Sequence, residues 1–339
     1  MSTRSDAAAP AATREITLGQ AVHEALAEEL RRDPAVFILG EDVAEAGTPF
    51  KVLNGLAEEF GTERVMDTPI SEPGFTGIAL GAAMTGLRPV VDVMFGDFLT
   101  LVMDQLVNQA AKVHYMSGGK LRAPLTVRTT LGATRRSAAQ HSQSLHAWVS
   151  HVPGLKVALP STPRDAKGLL KSAIRDESPV VVFEDKMMWG SKGQVPAEEY
   201  VIPFGVADVK RPGKDVTIVA TSSMVLTALE AAAQLETEGV DAEVIDPRTT
   251  VPLDRDTLVA SAVKTGRVIV VDEGHRAYGV TAEFASVIAD EAFYHLDAPV
   301  QRLAAMDVPV PFSPVLEDQT VPTATAIVER ARALVEGKL

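Results

Sequence analysis

Cysteine is absent from this chain of 339 residues. Disulfides, thiolate metal sites and cysteine nucleophiles are therefore excluded. Positive charge is in short supply: 32 Lys and Arg stand against 45 Asp and Glu, a net charge of −13. That balance argues against nucleic acid or an anionic membrane surface as a partner. No basic cluster contradicts it, since Arg135-Arg136 is only a pair. No apolar run approaches the ~20 residues of a membrane span. The opening stretch MSTRSDAAAPAATR lacks the apolar core of a secretory signal, and for a transit peptide it is short and carries Asp6. It reads as a flexible tail on a cytoplasmic protein. No short tandem repeat is visible.

What is present is a globular composition, 46% hydrophobic, in which short apolar runs alternate with helical patterns. Val36–Leu39, Val90–Met94, Leu125–Arg128, Lys156–Leu159 and Val180–Phe183 read as strands buried on both faces. A second set is Val216–Ala220, Ala242–Ile245, Val268–Val271 and Gln301–Ala304. Thr17 with Gln20 forms a capping box before Ala21–Leu30, and Thr162-Pro163 with Asp165 opens Ala166–Arg175 in the same style. Ser223–Glu238 should stop at Gly239, and Asp97–Met116 at Gly118-Gly119. Alternation of this kind predicts an α/β protein with two doubly wound, mostly parallel sheets. The segment Gly190–Pro212, rich in Gly, Pro and charge, marks the boundary. The expected division is a tail at 1–13, a first domain at 14–190, a linker at 191–210 and a second domain at 211–339, each domain with its own sheet.

The most informative stretch is DTPISEPGFTGIALGAAMTGLRPVVDVMFGDF, from Asp67 to Phe98. Ser71 is a candidate N-cap, and Pro73 is tolerated in a first turn. The helix that follows is unusually small: Gly74, Gly77 and Gly81 lie inside it, each costing roughly 1 kcal/mol relative to alanine. Three such glycines imply close approach of a neighbouring backbone. Leu87-Arg88-Pro89 ends the helix before the next strand. Glu72 sits at its mouth, where a carboxylate serves either the helix macrodipole or a bound group. Met94, Phe98 and Ile70 are either core or walls of a site. Asp67 and Glu41-Asp42 lie at carboxyl ends of strands, where α/β sheets bind ligands, though turn formation explains Asp42 as well.

His141, in QHSQS, follows a loop rich in Gly, Thr and Arg and precedes a helix at Leu145–Val149 that Ser142 or Ser144 can cap. It is either a solvated loop histidine or a proton carrier. His146 and His151 read as helix-surface residues. Val271-Asp272-Glu273-Gly274-His275 ends a strand, and Arg248 and His275 are candidates for an accessible site.

Taken in order, GEDVA, DTPISE, GAAMTGLRPV, DQLVNQAAK, HYMSGGK, AQHSQS, HVPGLKV, SAIRD and DPRT resemble the β subunit of thiamine-dependent 2-oxo acid dehydrogenase first components, of pyruvate or acetoin type, over roughly residues 14–335. The resemblance implies a thiamine-pyrimidine-binding, transketolase-like domain followed by a transketolase C-terminal-like domain. It implies that Glu72 bonds the aminopyrimidine of thiamine diphosphate, that Phe98 packs on that ring with Met94 and Ile70 nearby, and that Glu41 lies near the cofactor. It places His141 at the thiazolium, in proton or acyl transfer. It also implies a potassium ion held by Leu125, Ala173, Ile174, Asp176 and Ser178, mostly through carbonyls. One departure stands out: the loop LGATRRSAAQHSQ has fewer glycines than the family's usual run, and two arginines.

The family's diphosphate and magnesium motif, Gly-Asp-Gly followed by Asn, is missing. Half a cofactor site implies a second chain. The resemblance makes it an α subunit, in a two-α, two-β tetramer with a β–β contact, which holds the magnesium and passes an acyl group to a lipoyl-bearing acyltransferase. Half of a split transketolase-type ketol transferase is the rival enzyme reading, and a non-catalytic organising subunit the rival of another class.

Overall fold

The computed structural model describes residues 12–338; the tail expected at 1–13 falls almost wholly outside them. In chain order the first half comprises β1 (Thr13–Thr17), α1 (Leu18–Arg32), β2 (Val36–Gly40), α2 (Leu56–Phe60), β3 (Val65–Asp67), α3 (Glu72–Met84) and β4 (Arg88–Val93). A 3₁₀ turn (Gly96–Leu101) and a π-helical segment (Asp104–Ala110) lead into α4 (Ala111–Met116), then β5 (Thr126–Leu131), α5 (His146–Ser150), β6 (Lys156–Ala158), α6 (Pro163–Arg175), β7 (Val180–Asp185) and β8 (Lys192–Pro196). The second half comprises β9 (Asp208–Arg211), β10 (Val216–Ala220), α7 (Met224–Thr237), β11 (Ala242–Asp246), β12 (Thr249–Val251), α8 (Arg255–Thr265), β13 (Val268–His275), α9 (Val280–Glu291), β14 (Gln301–Ala305), α10 (Pro314–Glu317) and α11 (Ala324–Val335).

Two sheets carry the architecture, one of seven strands in the order β12-β6-β7-β5-β4-β2-β3 and one of five in the order β14-β13-β10-β11-β9. Only their β12 and β9 edges are antiparallel. The α/β expectation holds, and for the anticipated reason. Strands such as VFILG and VVVFED are buried along their whole length, because helices cover both faces of a parallel sheet. Both helix caps form where expected: Thr17 and Gln20 exchange hydrogen bonds of 3.1 and 2.9 Å as a capping box, and at α6 the cap is one-way, Asp165 N–H donating to Thr162 Oγ1 at 3.1 Å while the Thr162 hydroxyl donates to the Asp165 carboxylate.

Four expectations need correction. β12 lies beyond the boundary yet pairs with β6, so the first sheet borrows a strand from the second half. The segment expected as a linker carries a strand, β8, which pairs antiparallel with β1. The helix expected from Asp97 to Met116 is broken into 3₁₀, π and α turns. Among the described residues, the α3 glycines meet no backbone outside their own helix: nothing lies within 4 Å of a Cβ placed at Gly81, only Gln105 Cγ, at 3.9 Å, near one at Gly77, and only the Ser71 side chain near one at Gly74.

Candidate active site

The strand order reverses between β2 and β4, so the connections leave their carboxyl ends in opposite directions. A crevice opens at such a switch point, and ligands bind there in parallel α/β sheets. Glu41 follows β2 directly. Met94, Phe95 and Phe98 follow β4, and Glu72 opens α3, which packs on the 96–101 turn.

Glu72 is buried, 7% exposed. Ser71 precedes the helix but makes no side-chain cap. Glu41 stands near Glu72, and its Oε1 is buried without a hydrogen-bond partner. Burial pushes the Glu41 carboxyl up, and the charges of Glu72 and Asp42 push the same way. A buried oxygen left unpaired costs free energy unless a partner arrives. Ile70, by contrast, is 84% exposed and Ile78 on α3 68%. The acid pair is thus buried beside exposed apolar residues of the Ile70 turn and α3. Asp67 is not part of it: its carboxylate accepts the N–H groups of Ala44 and Glu45, at 2.7 and 3.1 Å, and shapes the loop after β2.

Beyond β4 lies an aromatic cluster. The His141 ring is edge-on to Phe95, with centroids 4.8 Å apart, and to Phe98, at 5.5 Å. Phe95 also meets Phe98 and Phe50. The Lys186 ammonium lies 5.5 Å from the Phe95 centroid and donates to the His141 carbonyl. Burial pulls Lys186 downward, while the charges of Asp97, Glu273 and Asp185 oppose that pull. Asp97 accepts the Gln143 N–H and Nε2 at 3.3 and 2.8 Å and so fixes the chain just after His141. Gly96 is required at this turn, because a Cβ there would strike the Thr130 carbonyl. Neither Ser142 nor Ser144 caps α5; the Ser142 hydroxyl is buried without a partner.

Matches to known families settle the class. Residues 14–191 match the family described as "Transketolase, pyrimidine binding domain", and residues 205–327 "Transketolase, C-terminal domain". The chain is 50% identical to the acetoin:2,6-dichlorophenolindophenol oxidoreductase subunit beta of Bacillus subtilis, over 93% of this chain and 96% of that one. This chain belongs to the pyruvate and acetoin dehydrogenase β-subunit family. The pyruvate dehydrogenase E1 component subunit beta of Rhizobium meliloti is 46% identical to this β subunit, over 97% of this chain and 72% of that one. Among solved structures, that of a "Split gene transketolase, inactive beta4 tetramer" superposes with a TM-score of 0.79 at 25% identity, over 95% of this chain and 98% of that chain.

Two readings change in the folded β subunit, those of His146 and Arg248, while His275 stays partly exposed. His146 is fully buried between the domains, its Nε2 3.0 Å from Asp272 Oδ2. Burial alone would raise the Asp272 carboxyl, but His146, the Thr221 hydroxyl and the Gly274 N–H hold it below the usual range. Arg248 is not accessible: it is buried and donates to Asp165 and Asp208 at 2.8 and 2.7 Å. His275 Nδ1 is 2.8 Å from the Met306 carbonyl.

The carbonyls expected around potassium gather at the C-terminal end of α6, where unpaired helix carbonyls collect negative charge. Arg88 Nη1 already donates to those of Ile174 and Asp176, at 3.1 and 3.0 Å. Leu125 and Ala173 accept from Val180 and Asp176 N–H groups, and the Ser178 N–H donates to the Asp176 carboxylate at 2.8 Å. Each carbonyl has a second lone pair, so an ion there would share these oxygens with a guanidinium.

Sequence reasoning missed Phe95, Lys186 and the importance of Glu273. A signal existed: Glu184-Asp185-Lys186 is a charged run at the carboxyl end of a buried apolar strand. Glu273 is buried against Asp185, under Gly132, where a Cβ would lie 3.1 Å from the Glu273 oxygens. Burial first, then the Asp185 charge, raises the Glu273 carboxyl well above the usual range. A carboxyl raised on folding adds stability fully below its unfolded value and loses it as pH rises through the folded one. Glu273→Gln is therefore expected to melt above the parent near about pH 8, with the gap closing towards about pH 5. A gap that widens on acidification would show Glu273 to be a stabilised carboxylate.

Proposed function

We propose that this chain is the β half of a cytoplasmic, thiamine diphosphate-dependent dehydrogenase acting on a 2-oxo acid of pyruvate type or on acetoin. The observation that carries the reading is the buried Glu72 beside Glu41, whose buried Oε1 has no hydrogen-bond partner, near the switch point in strand order between β2 and β4. Thiamine diphosphate, when bound, supplies the carbanion chemistry of decarboxylation or cleavage. Glu72 would hold a proton at the pyrimidine ring nitrogen, as general acid–base chemistry requires. Phe98, Met94 and Ile70 would wall the ring, and Glu41 would lie alongside. His141, oriented by Phe95, Phe98 and Lys186, would move protons or assist acyl transfer to a lipoyl group on an acyltransferase partner.

The missing diphosphate motif and the exposed apolar face of α3 support an α-type partner that holds the diphosphate and magnesium. A two-α, two-β assembly with a β–β contact follows from the same reading. Exposed contiguous apolar surface of this kind marks an interface. The carbonyls at the end of α6 are assigned to potassium. The likeness to a split transketolase favours a ketol transferase as the second reading, which turnover of sugar phosphates without a lipoyl acceptor would select.

The test is co-purification with an α-type chain and titration with thiamine diphosphate and magnesium, in potassium or in sodium. The expected result is magnesium-dependent binding only in the mixture, tighter in potassium. Equal binding in both salts removes the potassium assignment. No binding in the mixture makes this an organising subunit and withdraws the roles of Glu72 and His141.

A further inference from the structure

The loop that carries His141 is held from the other domain. Its backbone is left-handed at Thr134, Arg136 and Ala138, with φ of 69, 59 and 59°. None of these is glycine, so the conformation is strained and must be imposed from outside. What imposes it is Glu317, at the end of α10, whose side chain is fully buried. Its carboxylate accepts the Thr134 N–H at 2.7 Å, the Arg136 N–H at 3.2 Å and Arg136 Nη1 at 2.7 Å. Alternating left-handed residues aim their N–H groups at one anion, a concave backbone nest. Arg136 extends the grip, with Nη1 and Nη2 reaching the Asp318 carboxylate at 2.7 and 3.2 Å. On the near side, Arg135 Nη1 donates to the Lys186 carbonyl at 3.0 Å, and Lys186 donates to that of His141. The run from residue 133 to 141 is thus tied at both ends.

We propose that the second domain positions the His141 loop, with Glu317 as its clamp and Arg136 as the latch carried by the loop itself. Both are positioning residues, since neither touches the reacting groups. The proposal rests on the functional reading of His141 only for its effect on turnover, not for its effect on the loop. Glycines would relax the loop without a clamp; this chain has arginine and threonine there, and so depends on Glu317.

The test uses the full chain, and its complex with the α-type partner. Glu317→Gln, Arg136→Gly and Arg136→Lys are compared with the parent by melting, by trypsin cleavage after Arg135, and by kcat, KM and the pH profile of turnover. Glu317→Gln is expected to raise cleavage after Arg135 at least about 10-fold, to lower kcat by about 10–100-fold with KM little changed, and to shift the pH profile of turnover. Arg136→Gly keeps the left-handed turn without strain and isolates the loss of the guanidinium, so it should fall between the two; Arg136→Lys should recover part of the effect. If Glu317→Gln does not fold, the Arg136 variants, at a half-exposed position, decide alone. Folded variants with unchanged cleavage overturn the clamp. A loosened loop with unchanged kcat and pH profile leaves the clamp standing and overturns the role given to His141.

Discussion

Glu72→Gln is expected to lower turnover of the reconstituted enzyme by about 10²–10⁴-fold, the range that positioned proton transfer contributes. The amide keeps the shape and packing of Glu72 but cannot carry the proton that a carboxylate holds. Stability should not fall. Glu72 stands beside Glu41, and its charge is one of the causes that raise the Glu41 carboxyl. Removing one of two like charges from a largely buried site relieves repulsion, so the melting temperature should stay level or rise slightly. The same substitution should bring the Glu41 carboxyl back towards its ordinary range, which a pH titration of the Glu41 resonance can follow. Retained turnover with the expected Glu41 shift would show that the pair is real but that Glu72 is not the proton carrier.

Arg128→Met is the substitution expected to cost the most stability. Arg128 on β5 lies between Asp92 on β4 and Glu184 on β7, all three buried in the centre of the first sheet. Its Nε donates to Glu184 Oε1 at 3.2 Å, and its two terminal nitrogens bind Asp92 and Glu184. Removing the guanidinium leaves two carboxylates without a counter-charge, which costs about 3–5 kcal/mol in comparable sites. That is a fall of about 6–20 °C in Tm for a domain of this size. Burial already raises both carboxyls despite Arg128. Raised carboxyls favour the folded state while protonated, so the deficit should shrink as pH falls and grow as it rises. Adding Asp92→Asn and Glu184→Gln to Arg128→Met should restore most of the loss, because neutral amides carry no Born penalty. A triple variant no better than the single one would place the cost in packing instead. The triad lies just below the strand ends that carry Met94, Phe95 and the His141 loop, so calorimetry should accompany any activity measurement.

Local patterns were legible wherever one rule governed a segment. The nine apolar runs read as strands are all strands; most are buried inside a parallel sheet, where continuous hydrophobic stretches bounded by turn residues pack, while Gln301–Ala304 forms the half-buried edge strand β14. The caps at Thr17 and Thr162 formed because both partners lie within one turn. Local rules failed at His146, read as a surface residue. Its helix is one and a half turns long, and the residue that buries it, Asp272, lies 126 positions away. They also failed at Arg248, whose partners Asp165 and Asp208 belong to elements that meet only at the domain boundary. β12 was invisible because three residues added to another domain's edge carry no periodicity of their own.

By itself the sequence determined the fold class, the family, and which residue types could handle protons at the carboxyl ends of the strands. The motif it lacks is what prompted the proposal of a second chain for the cofactor. Those properties are written in short-range pattern and in motif order. Only the tertiary structure decided which charges are paired, which are stranded and what holds the His141 loop in a conformation its residues disfavour. The reason is electrostatic and steric: the pKa of Glu41, the burial of Glu273 and the left-handed turn at Arg136 depend on groups brought together from distant parts of the chain, and no local pattern encodes that meeting.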